Sequence, residues 1–73
     1  MPTYAEAASQ TSLPPLHLDL HSYAADPSKR FVLINMKRLY EGQSLPEGPK
    51  LESITVDSVI MSFNGKRFVL DKD

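Results

Sequence analysis

Cysteine is absent from this chain of 73 residues. No disulfide can staple the fold, and no thiolate is available as nucleophile or metal ligand. Glycine is scarce: the three glycines stand singly at turn positions, and none belongs to a phosphate-cradling loop. No sign of charge dominates. Eight Lys and Arg oppose nine Asp and Glu, giving a net charge of −1 and a pI near 6.0. Dedicated nucleic-acid binders and polybasic membrane-surface modules are strongly basic, and this chain is not. Long apolar runs are missing too, since none approaches the roughly 20 residues that cross a bilayer. The opening Met-Pro-Thr-Tyr-Ala-Glu has neither the basic nor the apolar region of a signal peptide. What is left is a soluble domain with one small core, in a chain size that buries only about 60% of its unfolded surface.

Residues 1–15, MPTYAEAASQTSLPP, are small, polar and almost uncharged, with prolines at 2, 14 and 15. Such a segment has little apolar surface to offset ordering entropy. Pro14-Pro15 favours extended backbone and ends a helix attempt over Ala5–Ala8. The expectation is a flexible linker over 1–15 and a β domain over 16–73. From Leu16 the pattern has period two: Leu16, Leu18 and Leu20 on one face, His17, Asp19, His21 and Tyr23 on the other. Asp26-Pro27-Ser28 reads as a turn. Arg30–Asn35 is a nearly continuous apolar run, expected to be a central strand buried on both faces. Asn35-Met36-Lys37 is a reversal and Arg38–Tyr40 a short return strand. After the Gly/Pro-rich loop at 45–49, Lys50–Val56 places Leu51 and Ile54 three apart, which fits a kinked strand. Val59–Phe63 and Lys66–Leu70 are strands joined by Asn64-Gly65, a dipeptide suited to a type I′ turn.

The fold expected is all-β: a small barrel-like sandwich of about six short antiparallel strands. No internal repeat is apparent. The core is expected at Leu18, Leu20, Val32, Ile34, Leu51, Ile54, Val59, Met61, Phe68 and Leu70.

Candidate chemistry is thin. On a strand, His17 and His21 lie roughly 13 Å apart, too far to share an ion, and no third His completes a site. No Gly-x-Ser-x-Gly elbow exists, and the carboxylates are scattered. No catalytic residue, cofactor or metal is expected. The dibasic pairs Lys29-Arg30, Lys37-Arg38 and Lys66-Arg67, together with Tyr23, Tyr40 and the phenylalanines, keep an oligonucleotide-binding barrel as an alternative. The feature with most functional content is the first strand. It follows the linker and is expected at a sheet edge, where unpaired N–H and C=O groups can join another protein's sheet. The partner-binding residues expected are Leu16, His17, Leu18, Asp19, Leu20, His21, Ser22 and Tyr23.

Several linked pieces carry a family resemblance. They are Asp26-Pro27, Arg30-Phe31-Val32 with Ile34-Asn35, and Tyr40-Glu41-Gly42. The spaced set Gly48, Leu51, Ile54, Asp57 and Val59 follows, and then Gly65 with Arg67-Phe68 and Leu70. In this order they resemble the C-terminal periplasmic domain of GspB-type proteins (OutB, PulB, ExeB) of the type II secretion system. The stretch covered is about Leu13 to Leu70. One departure is Met36, where the family often has Gly. The GspC homology region and the pilus lipoprotein PilP have similar small β domains and form the alternative.

The resemblance implies a non-enzymatic scaffold or assembly factor, in the periplasm, belonging to an inner-membrane protein. Its transmembrane helix would lie outside these residues, so the chain is expected to be the soluble end of a longer, anchored protein. The implied partner is the N-terminal periplasmic domain of the secretin GspD, with the ATPase GspA or GspC as further partners and no nucleic acid.

Overall fold

The structure, a computed structural model, describes residues 1–72. Six short strands form two three-stranded antiparallel sheets. The first sheet contains β1 (Leu18–Ser22), β2 (Phe31–Ile34) and β3 (Lys37–Leu39) in chain order. The second contains β4 (Lys50–Ile54), β5 (Val59–Phe63) and β6 (Lys66–Leu70), also in chain order. The inner face of each sheet is apolar, and the two inner faces meet. Leu16, Leu18, Val32, Ile34 and Leu39 from the first half share one core with Leu51, Ile54, Val59, Met61, Phe68 and Leu70 from the second. Leu45 closes this core from the loop before β4. The result is the all-β sandwich that the alternation predicts.

The two sheets repeat one plan. Each begins with a bulged strand: the register slips between Leu18 and Leu20 in β1, and between Leu51 and Ser53 in β4. Each ends with a two-residue hairpin whose tip reads Asn-x-Lys-Arg, at Asn35–Arg38 and Asn64–Arg67. A repeat this short, confined to the tips, is hard to find among strands that otherwise diverge. Both hairpin turns have positive φ at their two central residues: 53° and 64° at Asn35 and Met36, 52° and 78° at Asn64 and Gly65. That is the geometry a right-twisted hairpin favours. Met36 adopts it without glycine's freedom, and the Asp19 carboxylate accepts a 2.8 Å hydrogen bond from the Met36 N–H.

The bulge overturns one expected core residue. Strict alternation sends Leu20 inward, yet Leu20 is 38% exposed. One extra residue in β1 reverses the facing of every side chain after it. Leu20 therefore pairs with Leu33 on the outer face, and His21 pairs with buried Val32 on the inner one. The same device accounts for the spacing of Leu51 and Ile54, where it leaves both side chains buried. The strand is also shorter than Leu16–Tyr23, and Arg30–Asn35 is not buried on both faces. Phe31 and Leu33 are half-buried, because no described layer covers the outer face of β2.

Residues 1–15 differ most from expectation. Tyr4–Gln10 form a helix, α1. Thr3 and Glu6 build a reciprocal capping box, in which Thr3 Oγ1 accepts from the Glu6 N–H and the Glu6 carboxylate accepts from the Thr3 N–H. That box satisfies two amides that would otherwise oppose a short helix. Ala7 is buried, and the Tyr4 ring lies 5.9 Å from Phe68. Docking, not propensity, thus offsets the ordering cost that the composition suggested would win.

Candidate functional site

The sheet edges are finished in different ways. Along β4, a segment of the chain itself lies in the place of a further strand. The Gly42 N–H donates to the Leu51 carbonyl at 2.8 Å, the Leu51 N–H donates to the Gln43 carbonyl at 2.8 Å, and the Ile54 N–H donates to the Glu41 carboxylate at 2.8 Å. Along β6, the Val69 N–H donates to the Pro2 carbonyl at 2.9 Å, and Thr3 bridges Val69 in parallel. The β3 edge is only three residues long and exposes Lys37 and Arg38. Short, charged edges resist pairing.

The β1 edge has none of these covers. Among the described strands its hydrogen-bonded neighbour is β2. Among the described residues, no backbone bond joins Leu18–Ser22 to any other segment. The Asn35 N–H donates to the His17 carbonyl at 2.9 Å, which makes 17 and 35 a hydrogen-bonded pair. Bonded and non-bonded pairs alternate in an antiparallel ladder, so Leu18 turns its N–H and C=O away from β2.

The residues expected to bind a partner therefore divide. Leu16 and Leu18 face the core, each 4% exposed, and supply backbone to the edge rather than side chains. His17 is exposed, and its N–H donates to the Asn35 side-chain oxygen at 2.9 Å. Asp19 is the bulge residue that caps the hairpin tip. Leu20 stands on the outer face. His21 turns inward, with Nε2 2.7 Å from the carbonyl of Thr55, the residue just after β4. A carbonyl only accepts, so Nε2 carries the proton. Ser22 is half-buried. Tyr23, 42% exposed, lies under the Arg30 guanidinium at 4.4 Å and accepts a 3.1 Å hydrogen bond from it.

Arg30, Glu41, Asn35 and Asp26 also shape this edge, and the partner-binding set misses them. Arg30 donates to the carbonyls of Ala24 and Ala25 and pairs with Glu41 at 3.5 Å. Through the Glu41 carboxylate it is tied to β4, so this cluster joins the two sheets. The Asn35 amide donates to the Pro15 carbonyl at 2.9 Å and fixes the approach to β1. Asp26 accepts from the Ser28 hydroxyl and N–H, which hold its carboxyl below the ordinary 3.8. An Asp-Pro pair announces that turn in the sequence, whereas nothing local announces the reach of Arg30.

The outer face of the first sheet is the other notable surface. Leu20, Leu33 and Arg38 line up across the three strands. Phe31 and Tyr40 lie beside them with ring centres 6.1 Å apart. The Arg38 guanidinium covers the Phe31 ring at 4.7 Å. A separate shallow groove of about 290 Å³ runs between Thr3–Ala5, Leu16–His17 and Val69–Asp71. Among the described residues there is no group of three His, Asp or Glu placed to hold a metal, and no helix long and apolar enough to cross a membrane. The bulge sets His17 and His21 on opposite faces. The three dibasic pairs fall at three places: the turn before β2, the β3 edge and β6.

Comparison with known proteins gives a consistent result. The model of the family described as Type II secretion system protein B matches residues 13–72. The chain is 41% identical over 66 residues to a general secretion pathway protein B of Dickeya dadantii, covering 90% of this chain and 30% of that protein. It is 38% identical over 64 residues to the protein of the same name from Klebsiella pneumoniae, covering 88% of this chain and 37% of that one. The chain thus spans about a third of the length of the curated relatives it matches. The crystal structure of Dickeya dadantii GspB from the type 2 secretion system superposes with a TM-score of 0.76 at 43% identity. That match covers 82% of this chain and 71% of the other.

Proposed function

We propose that this chain, which belongs to the type II secretion system protein B family, serves that system as a non-enzymatic assembly module. In this reading it works in the periplasm as part of a longer protein held at the inner membrane. Its partner is the N-terminal periplasmic domain of the outer-membrane secretin, and the contact is made by adding β1 to an edge of that domain. GspA and GspC are further partners of the whole protein.

The observation that carries this reading is the difference between two equivalent edges. β1 and β4 are both bulged outer strands, and the residue before each bulge turns its backbone outward. At Leu51 that outward N–H and C=O are occupied by Gln43 and Gly42. At Leu18 no segment among the described residues takes the same positions. A fold that covers one such edge and leaves its counterpart open has kept a place for a strand from elsewhere. Backbone bonds give that contact affinity, and the half-exposed groups of Leu20, Ser22 and Tyr23 select among strands. A contact this small buries little area, so modest affinity is expected.

The test uses titration of the purified secretin domain, with circular dichroism as the fold control. Asp19→Pro stiffens the bulge and removes its N–H, and Asp19→Ala removes only the carboxylate that caps Met36. Loss of binding by Asp19→Pro, with Asp19→Ala binding like the parent, is the expected outcome. Undiminished binding by a folded Asp19→Pro domain overturns strand addition.

A further inference from the structure

The outer face of the first sheet carries a charge that the fold does not answer. Arg38 and Arg67 hold the same place in the two hairpins, one residue past the Lys that follows the turn. Arg67 has an acidic neighbour on its sheet: the Glu52 carboxyl is held below its ordinary value of 4.5, first by the Ser62 hydroxyl and further by the charges of Lys50 and Arg67. Arg38 has only the Phe31 ring. Among the described residues it forms no ion pair. Around it lie Leu20 and Tyr40, each 38% exposed, with Leu33 and Phe31 half-buried.

From this we infer that the outer face of the first sheet is a second docking surface, and that it takes an acidic protein surface. The argument is one of solvation. An apolar, aromatic face gains from being covered. Covering this one removes the Arg38 guanidinium from water, and a desolvated cation is costly unless a carboxylate meets it. The occupant must therefore bring an acidic side chain to Arg38 and apolar groups to Leu20 and Tyr40. A second copy of this chain does not qualify, because a two-fold contact would bring this face against itself, cation near cation and no acid between. A bilayer fits poorly as well. Anionic lipid recognition uses clusters of about four to eight cations, whereas this face carries Arg38 and its neighbour Lys37 pairs with Ile34 on the other face.

The face is continuous with the β1 edge through Leu20. A domain that received β1 at its edge would have its body close to Leu20 and Leu33. The inference rests on the preceding reading for the identity of that partner, but not for the chemistry demanded of it.

The experiment titrates the secretin's N-terminal periplasmic domain against the parent chain, Arg38→Glu, Arg38→Gln and Arg38→Lys, at low and high salt. Arg38 is exposed, so all four should fold, as circular dichroism would verify. Arg38→Glu should weaken binding by about tenfold or more, Arg38→Gln by less, and Arg38→Lys least, since it keeps the charge. The parent's affinity should fall with added salt more steeply than that of Arg38→Gln. Parent-like binding by Arg38→Glu and Arg38→Gln, alongside loss in Asp19→Pro, overturns the second surface and leaves strand addition standing. Absence of parent binding overturns both. Binding of the parent to phosphatidylglycerol vesicles, lost in Arg38→Glu, assigns the face to lipid and overturns the protein partner.

Discussion

A bulged outer strand, a central strand and an Asn-x-Lys-Arg hairpin make the first sheet, and the second sheet has the same three parts. The finishing differs. In the second sheet, residues 41–43 cover one edge and Pro2–Thr3 cover the other. The bulge acid there, Glu52, accepts a 2.6 Å hydrogen bond from Ser62 within its own sheet. In the first sheet, among the described residues, no segment covers the β1 edge, and the outer face is apolar around Arg38. Its bulge acid, Asp19, is engaged at the hairpin tip. One half thus has its polar groups settled internally, while the other keeps backbone and surface available. In so small a sandwich, covered and uncovered edges are divided between two copies of one plan.

The strongest attempt to break that division compares core with surface. Phe68, fully buried on β6 in the core between the sheets, should cost about 3–5 kcal/mol on change to Ala. Leu33→Ala on the outer face of the first sheet should cost under about 1 kcal/mol. Urea unfolding midpoints check both, and similar losses at the two sites would dissolve the contrast.

A smaller effect tests the hairpin tips. Met36→Gly relieves a left-handed residue and should raise stability by about 0.5–1 kcal/mol, while Gly65→Met should lower it by about 1 kcal/mol. Thermal unfolding of the pair reads the difference, and opposite signs are the expected result.

The smallest effect is one of pH. The Glu52 carboxyl is held below 4.5, chiefly by the Ser62 hydroxyl. A lowered carboxyl contributes stability that is complete above its unfolded value and is lost as pH falls through the folded value. Glu52→Gln should therefore be less stable than the parent at neutral pH and converge with it as the pH falls below the ordinary carboxylate range. A constant gap across that range would show that hydrogen-bond geometry, not ionisation, sets the contribution.

Much of this fold is legible in the sequence where local signals agree. Val59–Phe63, Asn64-Gly65 and Lys66–Leu70 match the structure residue for residue, because alternation and a turn dipeptide coincide there. At β1 they do not coincide. Leu16, Leu18 and Leu20 alternate perfectly, and the pattern holds no trace of the extra residue that turns Leu20 outward. In β4 the trace was visible, since Leu51 and Ile54 are three apart. Thr3 and Glu6 stand at capping-box spacing in the sequence as well, but so short a helix is held by the docking of Tyr4 against Phe68, which no local signal announces. Of the candidate site, the edge position of β1 was legible from its place in the chain. The uncovered state of that edge was not, because it depends on where residues 41–45 go. Nor was the solitude of Arg38, since Lys37-Arg38 and Lys66-Arg67 look alike until their neighbours are known.

Tyr4 gives the molecule a mechanical character. Its hydroxyl donates to the Pro14 carbonyl at 2.9 Å and accepts from the Leu16 N–H at 3.2 Å, so one side chain pins the strap that leads into β1. Tension arriving from the N-terminal direction meets the Pro2–Val69 bond first, then this clasp together with the first turn of the docked helix, which Tyr4 opens. These attachments would yield in turn, and each would lengthen the strap while β1 stayed seated. The clasp works as a strain relief for β1.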